Sequence, residues 1–159
     1  MLKRSILFLL LALVAGCASQ PPPADPVRHA LQNLSDRAVA RVIQVDALQP
    51  PQNQVLLLVS PQVDRALEID SERFLESLTR ALLGASASPQ VLDWRPAMGG
   101  TDGPHQWRME SYLEATAPRL RLSDRELMPY RLTLSLYRPD ADNALWQTQI
   151  EGAFDATAL

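Results

Sequence analysis

Cys17 is the only cysteine in a chain of 159 residues. A thiolate is a nucleophile that can take an acyl or diacylglycerol group. Alone, it can form neither an internal disulfide nor a structural thiolate metal site. The other residues able to do chemistry are sparse. His29 sits beside a proline-rich stretch and reads as a solvated side chain. His105 follows Gly103-Pro104 and could serve as a general base, but no partner stands at motif spacing, so it reads as a loop or helix-cap residue. No G-x-S-x-G elbow, H-E-x-x-H pair or phosphate loop occurs. Gly99-Gly100-Thr101-Asp102-Gly103 matches a phosphate loop only in composition, since no Lys-Ser/Thr follows it. Glu68, Asp70 and Glu72 could hold a cation weakly, yet Asp70 and Glu72 suit a helix start better. The expectation is therefore a protein without catalytic residues, metal or cofactor: a binding protein and not an enzyme.

Binding chemistry is easier to find. Trp94 and Trp107 flank the glycine-rich loop. If exposed, they would anchor a protein or glycan partner; otherwise they belong to the core or its edge. Arg119, Arg121, Arg125 and Arg131, with Tyr130 among them, form a basic stretch that is either a surface for an acidic partner or a solvated face. These seven residues make the candidate partner surface. The formal charge of the chain is −3, which disfavours nucleic acid as that partner.

The elements that must position these groups begin with a leader. Lys3-Arg4 is followed by an apolar run from Ile6 to Val14, too short for a bilayer span of about 20 residues but suited to a secretory signal. It ends in Val14-Ala15-Gly16-Cys17. Charge, apolar run, small residues and cysteine in this order resemble the bacterial lipobox, with cleavage before Cys17 and lipid on its sulfur. Two or three acyl chains would hold the protein stably on a membrane. Because Ala18 and Ser19 follow the cysteine, where retained inner-membrane lipoproteins often carry Asp, the resemblance implies the periplasmic face of the outer membrane. Loss of Lys3 and Arg4 with residues 1–16 takes the formal charge from −3 to −5.

Residues 17–26 form a linker around Pro21-Pro22-Pro23. In polyproline II form its reach is about 30 Å. Residues 27–159 suit a single α+β domain, and the 47% hydrophobic content suffices for a core. Leu31, Leu34, Ala38, Val42 and Val45 predict a helix within Val27–Leu48, though Arg41–Val45 also fits a strand or the segment an extended linker. Gln54–Ser60 reads as a buried strand. Asp70 caps a helix with the stripe Phe74, Leu75, Leu78, Leu82 and Leu83, closed by Gly84 as the residue after its end. Gln90–Trp94 is a second strand, which completes a β-α-β unit. His105–Ala117 reads as a helix, and Leu120–Met128 as a further helical turn. The end is an antiparallel hairpin: Leu132, Leu134 and Leu136 alternate with polar neighbours, as do Trp146, Thr148, Ile150, Gly152 and Phe154.

This order resembles the LpoB family of outer-membrane lipoproteins, which activate a bifunctional penicillin-binding protein. The likeness rests on Val55–Ser60, Leu78 with Ala81-Leu82, Val91-Leu92, Leu132–Leu136, and the Trp146-x5-Gly152 ending. That family carries one further strand before the final hairpin, for which Arg119–Leu122 is the visible candidate. The resemblance implies a small mixed sheet with helices packed on it, anchored through lipidated Cys17, and an envelope protein as partner. The function expected is a non-catalytic accessory of an envelope-assembly complex such as peptidoglycan synthesis. An auxiliary lipoprotein of a transport system and an envelope hydrolase using His105 or a carboxylate pair are the alternatives.

Overall fold

The structure, a computed structural model, describes residues 26–95 and 103–158. The expected signal peptide, Cys17, the expected linker up to residue 25 and most of the glycine-rich loop lie outside the described residues.

Helix α1 (Pro26–Val42) forms where the first helical pattern stands, which excludes both the strand reading of Arg41–Val45 and an extended linker there. Its Leu31, Leu34, Ala38 and Val42 repeat every three or four residues and are all buried. Helix α2 (Ser71–Gly84) starts where Asp70 accepts a 2.9 Å hydrogen bond from the Arg73 N–H. That bond satisfies one of the amide donors left free at a helix start. Phe74, Leu78 and Leu82 are buried, whereas Leu83 is 68% exposed and lies off the stripe assigned to it. Gly84 is the last helical residue, not the one after it, and Ala85 follows in extended conformation.

Seven strands make one mixed sheet. They are β1 (Val55–Leu58), β2 (Gln62–Val63), β3 (Gln90–Asp93), β4 (Gln106–Ala115), β5 (Leu120–Arg121), β6 (Glu126–Tyr137) and β7 (Trp146–Asp155). β3 runs parallel to β1, and β1 and β2 follow one another parallel to β4. β4 is antiparallel to β6, β5 continues along the same side of β6, and β7 closes the other side. The expected β-α-β unit is thus β1, α2, β3, and the expected hairpin is β6 and β7.

Two expectations fail between them. His105–Ala117 is not a helix but the ten-residue strand β4, flanked by β1 and β6. Leu120–Met128 is not a helical turn: β5 pairs back onto the start of β6. The strand missing before the final hairpin is therefore β4, and Arg119–Leu122 supplies only the short β5. Pro129 sits inside β6 where β4 has ended and β5 has not begun, a position where its lack of an N–H leaves no ladder bond unmade.

Both helices lie on one face of the sheet. Leu56, Leu58, Trp107, Met109, Leu113, Met128, Tyr130, Leu132, Leu134, Leu136, Ile150 and Phe154 point to that face and join the helix residues in one core. Each fully buried apolar side chain contributes about 1.5–3 kcal/mol. Ser35 and Ser77 donate and accept a 2.9 Å hydrogen bond where the helices touch. No described helix covers the other face.

Candidate functional site

The seven residues expected to share a partner surface are not brought together. Trp107 is 4% exposed and faces the core, with its indole N–H donating to the buried Gln54 Oε1 at 2.9 Å. Arg138 stacks over its ring at 3.8 Å. Tyr130 is 5% exposed and stacks on Phe154 with ring centroids 4.2 Å apart. Both aromatics keep their polar atom bonded, and that makes burial tolerable. Trp94 is half-buried just beyond β3, and its backbone N–H donates to the Leu58 carbonyl.

The arginines are balanced where they stand. Arg119 pairs with Glu68 at 2.6 Å, and Arg121 lies 3.7 Å from Glu126. Arg125 holds Asp124 at 2.6 Å. Its guanidinium pKa is raised, chiefly by that hydrogen bond. Arg131 lies on the helix-free face, opposite to Tyr130, because neighbours along a strand alternate in side. It sits between Glu114 on β4 and Glu151 on β7, directly in register, at 3.3 and 2.9 Å. The Glu151 hydrogen bond raises its pKa. Exposed pairs of this kind are screened by solvent and contribute little to stability.

The remaining groups considered for chemistry are also accounted for. His29 and His105 are exposed. Asp70 caps α2, and Glu68 pairs with Arg119 from a left-handed backbone at φ 55°. Among the described residues no three His, Cys, Asp or Glu side chains converge as metal ligands.

Three surface features emerge that residue types alone did not reveal. On the helix-free face a shallow cavity of about 280 Å³ lies between Tyr112 and Tyr137, floored by Glu110, Thr133 and Ser135. Arg108 crosses beside it, 4.9 Å over the Tyr137 ring. Its Nε is 3.3 Å from Glu110 without hydrogen-bond alignment, and its Nη atoms bind the Pro139 and Ala141 carbonyls. Between α1 and α2 a groove of about 450 Å³ has Val39, Ile43, Ala81 and Ala85 in its lining, with Asp36 and Arg80. The third feature is at the β7 edge. Tyr130 lies over Gly152, its direct partner across the ladder, and a Cβ there would come within 2.5 Å of the phenol oxygen. Arg37 on α1 donates to that oxygen at 3.3 Å and to the Glu151 carbonyl at 3.0 Å. The only hint of it in the sequence is the Trp146-x5-Gly152 spacing.

The class these observations define is an α+β domain that has, among the described residues, two α-helices on one face of a seven-stranded mixed sheet. Comparison with protein-family models and with curated proteins gives no match. Among solved structures the chain is similar to the LpoB C-terminal domain from Escherichia coli, at 13% identity and a TM-score of 0.51. That match covers 78% of this chain and 97% of the other. It is also similar to the LpoB C-terminal domain from Salmonella enterica, at 14% identity over 76% of this chain and 94% of that one, with a TM-score of 0.48. Lipoprotein GNA1162 from Neisseria meningitidis matches at 11% identity over 65% and 85%, with a TM-score of 0.47. At these identities the likeness is one of fold, and the Escherichia coli domain carries it.

Proposed function

We propose that this protein is a lipid-tethered, non-catalytic accessory of an envelope-assembly complex on the periplasmic face of the outer membrane, with peptidoglycan synthesis as the process served. The observation that carries this reading is the fold shared with the LpoB C-terminal domain from Escherichia coli, in a chain whose own start has the lipobox pattern ending at Cys17. The scatter of His29, His105 and the carboxylates supports a binding role over a catalytic one. Because α1 begins at Pro26 and packs into the domain, it adds nothing to the tether. The near end of the domain must then lie within about 30 Å of the membrane.

Crosslinking in cells followed by purification of the full chain tests this. A peptidoglycan-synthesis or other envelope-assembly protein should be recovered from wild type and lost from Cys17→Ser. Recovery of none, or recovery independent of Cys17, overturns the reading. Hydrolysis of envelope substrate by the purified chain, abolished in His105→Ala, would overturn its non-catalytic part.

A further inference from the structure

β7 is an outer strand of the sheet, as β3 is at the opposite side, and no described element pairs with its free side. The direction of its backbone groups follows from the ladder. Thr116 N–H donates to the Pro129 carbonyl, so odd-numbered residues of β6 face β4 and even-numbered ones face β7. Across the β6–β7 register, Thr148, Ile150 and Gly152 bond inward, while Gln147, Gln149, Glu151 and Ala153 turn their N–H and C=O groups outward. The Arg37 bond to the outward Glu151 carbonyl agrees with this. β7 carries neither Pro nor Lys, the residues that commonly blunt an edge.

Beside this edge a cleft of about 310 Å³ is lined by Arg37, Ala40 and Arg41 of α1 and by Gln149, Ile150 and Glu151. Neither arginine meets a carboxylate among the described residues, and the Glu151 carboxylate is held by Arg131 on the other face. Arg37 and Arg41 stand one helical turn apart, a rise of about 6 Å. Alternate residues of a strand repeat every 6.6 Å or so.

We propose that β7 is an edge-strand docking site for an extended acidic segment of a partner protein, bearing two carboxylate side chains at positions i and i+2. The segment adds a strand to the sheet through the outward groups of Gln147 and Gln149 and the outward N–H of Glu151, whose carbonyl is held by Arg37, and its two acids meet Arg37 and Arg41. This deepens the accessory reading and rests on it, by naming the partner's chemistry. A second copy of the chain is a poor occupant, because the helix-facing residues of its own β7 are Trp146, Thr148, Ile150, Gly152 and Phe154, with no acid among them. The linker is a poor one too, because Pro21, Pro22 and Pro23 have no N–H to give.

The test is titration of the full chain in detergent with the peptide acetyl-Thr-Val-Glu-Val-Glu-Val-Thr-amide and its Gln and Lys counterparts, read by amide NMR and hydrogen exchange. In the free protein the amides of Gln147 and Gln149 should exchange far faster than those of Thr148 and Ile150. The Glu peptide should slow them, with shifts confined to β7 and α1, and should bind about tenfold more tightly than the Gln peptide. Arg41→Glu, on an exposed side chain, should reverse the preference towards the Lys peptide. Gln149→Pro should abolish binding while leaving the Thr148 and Ile150 bonds intact. Slow exchange of Gln147 and Gln149 in the free protein overturns the proposal, as does absence of binding at millimolar peptide. Equal affinity for all three peptides, shifts mapping elsewhere, or concentration-dependent self-association through β7 overturns it as well. Should envelope crosslinks depend on Cys17 while these peptide results fail, the docking mode falls and the accessory reading stands.

Discussion

At the residue scale, Gly152 lies under Tyr130 with no room for a side chain. Tyr130 is held by its stack on Phe154 and by Arg37, so it cannot swing away from a new methyl at position 152. Gly152→Ala should destabilise the fold by about 1–3 kcal/mol in urea titration. A neutral result would show that the ring does not lie over the glycine. Asp155 offers an electrostatic check. Hydrogen bonds from the Thr157 hydroxyl and amide hold its carboxyl below the usual carboxylate range, with Arg125 adding to them. A depressed carboxylate contributes stability that is present above its unfolded pKa and is lost as pH falls through the folded one. Thr157→Val removes the hydroxyl bond, so the NMR titration midpoint of Asp155 should rise. An unchanged midpoint would contradict the assigned cause. Little of this is legible in the sequence, where the Trp146-x5-Gly152 spacing is the one sign of it. Tyr130 reads in sequence as the centre of a basic stretch, and only the register with Gly152 turns it inward.

At the element scale, what the sequence reveals depends on how cleanly a pattern repeats. α2 is plain because Asp70 and the Phe74–Leu78–Leu82 spacing agree on one start and one face. Asp70→Ala should cost about 1 kcal/mol, and Phe74→Ala about 3–5 kcal/mol. Thermal denaturation would measure both, and equal losses would show that capping and burial had been weighed wrongly. Most of β6 and β7 is plain because Leu132, Leu134 and Leu136, and then Trp146, Ile150 and Phe154, recur on one side, whereas the start of β6, Glu126–Met128, falls in the stretch that reads as a helical turn. β4 is hidden for a physical reason. Its core positions are Trp107, Met109, Ser111 and Leu113, so a polar residue occupies one of them, opposite Leu134. On the other face Tyr112 adds an apolar group where a polar one is expected, and it is 44% exposed. Together Met109, Tyr112 and Leu113 imitate helical spacing. Pairing on both sides, by β1 and by β6, overrides that local pattern, and no local signal announces it.

At the scale of the whole molecule, the helices occupy one face of the sheet and, among the described residues, leave an edge strand and a polar face free. The fold class was readable from the order of apolar runs. The partner surface was not, because residue type does not say whether Trp107 or Tyr130 points inward. The open edge depends on backbone direction, which the sequence does not display. Lengthening the linker by about ten residues should leave an outer-membrane partner within reach, whereas deleting Pro21–Pro23 should weaken its crosslinking. Indifference to both would argue against a partner held near the membrane. The central claim is that the domain works by binding an envelope-assembly protein while held through Cys17. It is tested most directly by a photo-crosslinking residue placed at Gln149 in the full chain in cells. The predicted result is a crosslink to a peptidoglycan-synthesis or other envelope-assembly protein, lost when Cys17 is replaced by Ser. No crosslink to such a protein, or the same crosslink without the cysteine, would contradict the account.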